Sequence, residues 1–99
     1  MNEYNNRQYL KMLECIRLFR SNERSLSECI SDIKALMACL ESPDVETKTN
    51  LQRNWAVLEE VYADSLDRGL PASARNNSDL IDKSFTNMEV ILKKVIVAG

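Results

Sequence analysis

SLSECISDIKALMACLESPDVETKTNLQRNWAVLEEVYADSLDRG, residues 25–69 of the 99-residue chain, holds two helices and the break between them. It opens on Ser25-Leu26-Ser27-Glu28, a capping box in which the serine hydroxyl and the glutamate satisfy free backbone N–H groups of the helix that follows. Ile30, Ile33, Leu36, Met37 and Leu40 then recur at steps of three and four, which makes one apolar helix face. Glu41-Ser42-Pro43 ends that helix, because the residue before a proline is held away from helical angles. Ser42 is expected to cap a third helix, with Pro43 at its first position and Asp44 and Glu46 near the positive end of its dipole. No breaker appears before Gly69, so this helix is expected to run about 25 residues, or roughly 37 Å. Its inner stripe reads as Val45, Lys48, Leu51, Trp55, Leu58, Tyr62 and Leu66, flanked by Val61 and Ala63. Core packing is the expectation for Trp55 and Tyr62. Arg68-Gly69 has the form of a C-terminal cap with a cation in the last turn.

Outward from this block, Tyr9, Leu10, Leu13, Ile16 and Phe19 mark a first helix from about Asn5 to Arg20. Residues 70–77 contain turn formers without a period and read as the longest loop. Asn77 or Ser78 is expected to cap a fourth helix with Leu80 or Ile81, Phe85, Met88, Leu92 and Val95 on its face, widened by Ile91 and Ile96. Four amphipathic segments on short connections predict an all-α fold, an antiparallel bundle of four helices forming one domain over residues 1–99.

Composition excludes several classes of function. A 44% hydrophobic share with 28% charged residues suits a folded chain, and only 2 Gly and 2 Pro interrupt it. There is no histidine, so the commonest general base is missing along with the Glu-x-x-His pairs of bundle metal sites. Gly69 and Gly99 are the sole glycines, too few for a phosphate-binding loop. An enzyme, a cofactor site and a metal site are therefore not expected. Cys15, Cys29 and Cys39 are read as small buried thiols. No secretory leader pattern and no apolar run long enough to span a bilayer is evident, so a cytoplasmic location without a membrane partner is expected.

Charge is uneven along the chain. Residues 1–24 carry five basic and three acidic groups, residues 25–72 four and nine, and residues 73–99 four and three. With a net charge of −2, direct binding of nucleic acid is not expected. The cations Arg7, Lys11, Arg17, Arg20 and Arg24 are interrupted by Glu3, Glu14 and Glu23 and read as ordinary helix surface. The acid collects on the third helix, where Glu60, Asp64 and Asp67 follow at steps of four and three, with Glu59 beside them. Carboxylates so spaced repel one another, so folding does not ask for them. Glu59, Glu60, Asp64 and Asp67 are the candidate partner-binding residues. The competing role is a solvated face pairing with Arg68 or Lys48.

The block Ser-Leu-x-x-x-Ile-x-Asp-Ile-x-x-Leu (Ser25 to Leu36), followed by Trp55-x-x-Leu58-Glu59-x-x-Tyr62-Ala63-x-x-Leu66-Asp67-Arg68-Gly69, resembles small helical immunity proteins of bacterial contact-dependent growth inhibition systems. The resemblance implies a protein that binds the toxic domain of a cognate effector, a nuclease such as a tRNase, and blocks it in a stoichiometric complex. It also places Asp67 before Arg-Gly at a helix end, where a structural hydrogen bond is the alternative to a partner contact. A second function class is a helical adaptor or regulatory subunit, monomeric or homodimeric, that associates through the wide apolar face of the fourth helix, where Ile91, Ile96 and Val97 exceed one core face.

Overall fold

A computed structural model describes residues 3–69 and 75–98, apart from the side chains of residues 75, 76, 97 and 98. It contains α1 (Glu3–Arg20), α2 (Leu26–Ala38), α3 (Val45–Arg68) and α4 (Arg75–Ala98), and the described residues form no strand. Each helix packs on its neighbours in sequence and α4 closes back on α1, whereas the diagonal pairs do not meet. Neighbouring helices run antiparallel. Asn5 near the start of α1 bonds Glu41 just after α2, and Phe19 at the end of α1 packs on Phe85 in the first half of α4 at 5.0 Å between centroids. The predicted four-helix antiparallel bundle is the observed fold.

Local chemistry sets the helix ends. At the end of α1, Asn22 adopts a left-handed φ of 63°, and the N–H groups of Asn22 and Glu23 donate to Phe19 O and Leu18 O at 3.0 and 2.8 Å. This is a Schellman closure with asparagine at the left-handed position. The capping box at Ser25 forms as read: Glu28 N donates to Ser25 Oγ and Ser25 N to Glu28 Oε1, both at 3.1 Å. Those bonds from Ser25 hold the Glu28 carboxyl below the usual range. Gly69 closes α3 at a φ of 67°.

Three boundaries differ from the sequence reading. α2 ends at Ala38, so Leu40 lies outside it and Pro43 is not what stops it; Asn5 takes the N–H and carbonyl of Glu41 just beyond. Ser42 is not the cap of α3. It lies at a φ of 42°, outside the helix, and Asp44 takes the role by accepting from Thr47 N at 3.1 Å and from the Thr47 hydroxyl at 3.2 Å. A carboxylate adds a charge favourable to the helix dipole and makes two bonds here, so it prevails over the serine two residues earlier. The start of α4 at Arg75 places residues 75–77 in helix rather than loop, so neither Asn77 nor Ser78 is a cap. The remainder of the expected loop, residues 70–74, lies outside the described residues.

The core is built from Met12 and Ile16 of α1, Cys29 and Ile33 of α2, Leu51 and Leu58 of α3, and Phe85, Met88 and Leu92 of α4, all fully buried. Between Leu80 and Ile81, it is Ile81 that turns inward. Leu10 is 52% exposed, because the buried line of α1 passes through Tyr9, Met12 and Ile16 and leaves Leu10 a step outside it. Polar groups within are satisfied: buried Asn5 donates to Glu41 O at 2.7 Å and accepts from Glu41 N at 2.8 Å, and half-buried Trp55 donates to Ile30 O at 2.9 Å. No helix among the described residues is long and apolar enough to cross a membrane.

The three thiols divide. Cys29 is inaccessible and donates to Cys15 O at 3.2 Å, and burial pushes its thiol up to about 12; Cys15 is also buried. Cys39 instead is exposed at the end of α2, against the expectation of three buried thiols, because it follows the last helical residue and lies off the apolar line. Titration of the native protein with a chromogenic disulfide reagent at pH 8 is expected to show one fast thiol, removed by Cys39→Ser, with the other two reacting only on unfolding. Fast reaction at Cys15 or Cys29 would contradict this packing.

Candidate binding surface

The lengths of the helices create the surface. α2 has 13 residues and α3 has 24. Their register is set by the Trp55–Ile30 hydrogen bond and by a shared groove in which Met37 and Leu40 meet Lys48 and Gln52. That register brings Leu26, the first residue of α2, level with the region of Glu59. Residues 60–68 of α3 therefore overhang α2 by about 13 Å at 1.5 Å per residue. Within the overhang Val61 and Ser65 are buried, while Leu66 is 62% exposed because α2 has ended before reaching it.

This corrects the inner stripe of α3. Leu51, Leu58, Val61 and Ser65 are buried, Trp55 and Tyr62 are half-buried against the core, and Val45, Lys48 and Leu66 are exposed. Leu51, Leu58 and Ser65, seven residues apart, mark the buried line; Val45 and Leu66 each fall one position past that repeat, about 100° around the helix, and Lys48 lies on the side facing α2.

The overhang carries the acidic residues. Glu60, Asp64 and Asp67 fall within an arc of roughly 60° on the solvent side, at about 100° per residue, and Glu59 sits at the base on the flank shared with Tyr62 and Leu66. All four carboxylates are exposed. Asp64 accepts from Arg68 Nε at 3.1 Å. Glu59, Glu60 and Asp67 have no ion-pair partner among the described residues, and Asp67 makes no hydrogen bond there, so the structural role considered for it is not seen. Lys48, the other cation considered for this face, is near the opposite end of α3. Carrying the α3–α4 register of the Asn54–Asn87 hydrogen bond up the hairpin puts exposed Leu80 level with Val61, beside Glu60 and Asp64. The surface is thus a strip of carboxylates flanked by two exposed leucines.

Arg7, Lys11 and Arg17 are helix surface as read, but Arg20 at the end of α1 and Arg24 in the turn after it do more. Arg20 donates to Glu89 at 2.6 Å, to Thr86 at 2.9 Å and to Asp82 at 3.3 Å, tying the end of α1 to α4. Arg24 pairs with Asp32 and, at 3.2 Å, with Glu28, and Arg17 pairs with Glu14. Sequence spacing points to the Arg17–Glu14 and Arg24–Glu28 pairs but not to the partners of Arg20 on α4, since Arg20 and Glu89 are 69 residues apart. Ile91 and Ile96, read as excess on the fourth helix, pack against the core; the side chain of Val97 lies outside the described residues. Among the described residues no three acidic or cysteine side chains converge as metal ligands.

Compared with protein-family models, curated proteins and solved structures, the chain finds no match.

Acidic groups in the last turns of a helix oppose its dipole and repel each other, each effect costing a few tenths of a kcal/mol. Glu60→Gln with Asp67→Asn is expected to raise Tm by about 2–5 °C for a domain of this size, read by calorimetry. A fall in Tm would mean that these carboxylates serve the fold.

Proposed function

We propose that this chain is an immunity protein: a cytoplasmic, non-catalytic inhibitor that binds the toxic domain of a bacterial effector, a nuclease such as a tRNase, in a stoichiometric complex. The observation that carries the proposal is the overhang of α3, where Glu59, Glu60 and Asp67 project without an ion-pair partner among the described residues, in a place where helix electrostatics favour cations. An enzyme that cleaves RNA presents cationic groups to a phosphate backbone, so a strip of carboxylates fits the same cleft and excludes the substrate. Leu66 and Leu80 supply apolar anchors within a charged rim, the arrangement of a specific protein interface. The Ser25–Gly69 resemblance to immunity proteins adds to this reading. On it the partner is a protein, with neither nucleic acid nor membrane bound directly and no cofactor needed.

The test is co-expression in a bacterial host with the toxin domain encoded beside this gene. Growth is expected to be restored, with a complex of fixed stoichiometry recovered; growth arrest with every adjacent toxin would overturn the proposal. Against a toxin that is neutralised, Glu60→Lys with Asp64→Lys is expected to slow association at low salt by about ten-fold or more, with a smaller change in dissociation. An unchanged association rate would remove the carboxylate strip from the interface.

A further inference from the structure

A second stripe of α3 is left uncovered by the bundle. Val45, Lys48, Gln52, Ala56, Glu59, Ala63 and Leu66 follow at steps of three and four, which is the period of a seam between two helices lying along each other. All are exposed except half-buried Ala56. Val45 at 78% and Leu66 at 62% are two of the three most exposed large apolar residues described. The stripe has nearly the same pattern in both directions, apolar at each end and small in the middle, but its charge inverts from Lys48 near the start to Glu59 and the neighbouring Asp67 near the end.

We infer that α3 pairs antiparallel with α3 of a second copy, forming a two-fold dimer. Laid in reverse, Val45 meets Leu66 of the second copy, Gln52 meets Glu59, and Ala56 meets itself at the crossing, where a small side chain allows close approach. Lys48 then falls against Ala63 of the second copy, between Glu59 and Asp67. The groove between α2 and α3, about 480 Å³, opens on this stripe with an apolar floor of Met37, Leu40 and Trp55. Lys34 and Lys48 stand on its opposite banks, neither with an ion-pair partner among the described residues. Glu59 of the second copy arrives between them, so the charge of the groove and of the overhang match. A two-fold axis satisfies both ends at once and closes the assembly at two copies. Glu60 and Asp64 lie around the helix from this stripe, but Glu59, Leu66 and Asp67 belong to both surfaces, so the dimer does not rest on the inhibitor reading and competes with a toxin for those three residues.

Sedimentation equilibrium from about 10 µM to on the order of 1 mM, a range suited to a small interface, tests the dimer. The mass is expected to rise from 11.3 kDa toward twice that value. Lys48→Glu with Gln52→Glu makes the stripe acidic throughout, and Glu59→Lys with Asp67→Lys makes it basic. Each variant alone is expected to stay monomeric, and an equimolar mixture to recover the dimer mass. Both changes improve the match to the helix dipole, so loss of association is not loss of the fold. Wild type that stays monomeric throughout, or association unaltered in both variants, overturns the inference; neutralisation of a toxin by the Lys48→Glu, Gln52→Glu variant separates that failure from failure of the inhibitor proposal.

Discussion

A short helix packed on a long one leaves part of the long one bare, and much of the surface of this protein follows from that mismatch. The length of α2 is set by a local cap at its start and by a long-range pair of bonds at its end. Ser25 and Glu28 satisfy each other's backbone donors at its start, and Asn5 takes both the N–H and the carbonyl of Glu41 just past its end. α3 has no such stop until Gly69, where the chain turns through a left-handed φ. With the register fixed by Trp55 Nε1 on Ile30 O, the surplus of α3 must emerge past the start of α2. Two more turns of α2 would cover Leu66 and bring Glu59 and Tyr62 against its side chains.

What was readable in the sequence was whatever depends on nearest neighbours along the chain. The capping box and the glycine closure are interactions over four residues or fewer, and both appear where they were read, whereas α2 ends at Ala38, ahead of the proline that was read as its stop. Ser42 against Asp44 was a contest between two competent caps two positions apart, decided by the second bond that Thr47 gives to a carboxylate. The exposure of Val45 follows from the period of α3, which carries it off the buried line of Leu51, Leu58 and Ser65, whereas that of Leu66 also depends on where α2 ends relative to α3, which the sequence does not show. The network of Arg20 with Asp82, Thr86 and Glu89 joins residues more than 60 positions apart, and periodicity carries no information on such pairs. For the candidate site, the carboxylates were identified as a cluster, but their setting on an overhang and the leucines beside them required the packing.

The ion pairs separate charge that serves the fold from charge that does not. Arg17, Arg20 and Arg24 are engaged within the molecule, so the basic excess of residues 1–24 is largely absorbed by Glu14, Glu28, Asp32, Asp82 and Glu89. The acid of α3 is not absorbed in this way, since Arg68 engages Asp64 alone among the four carboxylates. A chain with a net charge of only −2 thereby shows a concentrated negative strip at one end of the molecule.

That strip also has two sides, which follow from the 100° step of the helix. Glu60 and Asp64 point away from α2, toward the flank that carries Leu80, whereas Glu59 shares the flank of Tyr62 and Leu66 and continues the line of Lys48 and Gln52. A ligand that recognises one side need not touch the other. α3 carries Glu46, Lys48 and Arg53 in its first half and four carboxylates with Arg68 in its last 12 residues, so its second half is net acidic where its own dipole favours cations. Isolated, such a helix is electrostatically mismatched toward its C-terminal end, where Arg68 offsets only part of the acid, while Asp44 and Glu46 match the dipole at its start. Beyond the Arg68–Asp64 pair, that excess is relieved from outside, by cations near the C-terminal end or by the Lys48 region of a like helix laid in reverse, so the same arrangement that weakens α3 alone favours its pairing with something else.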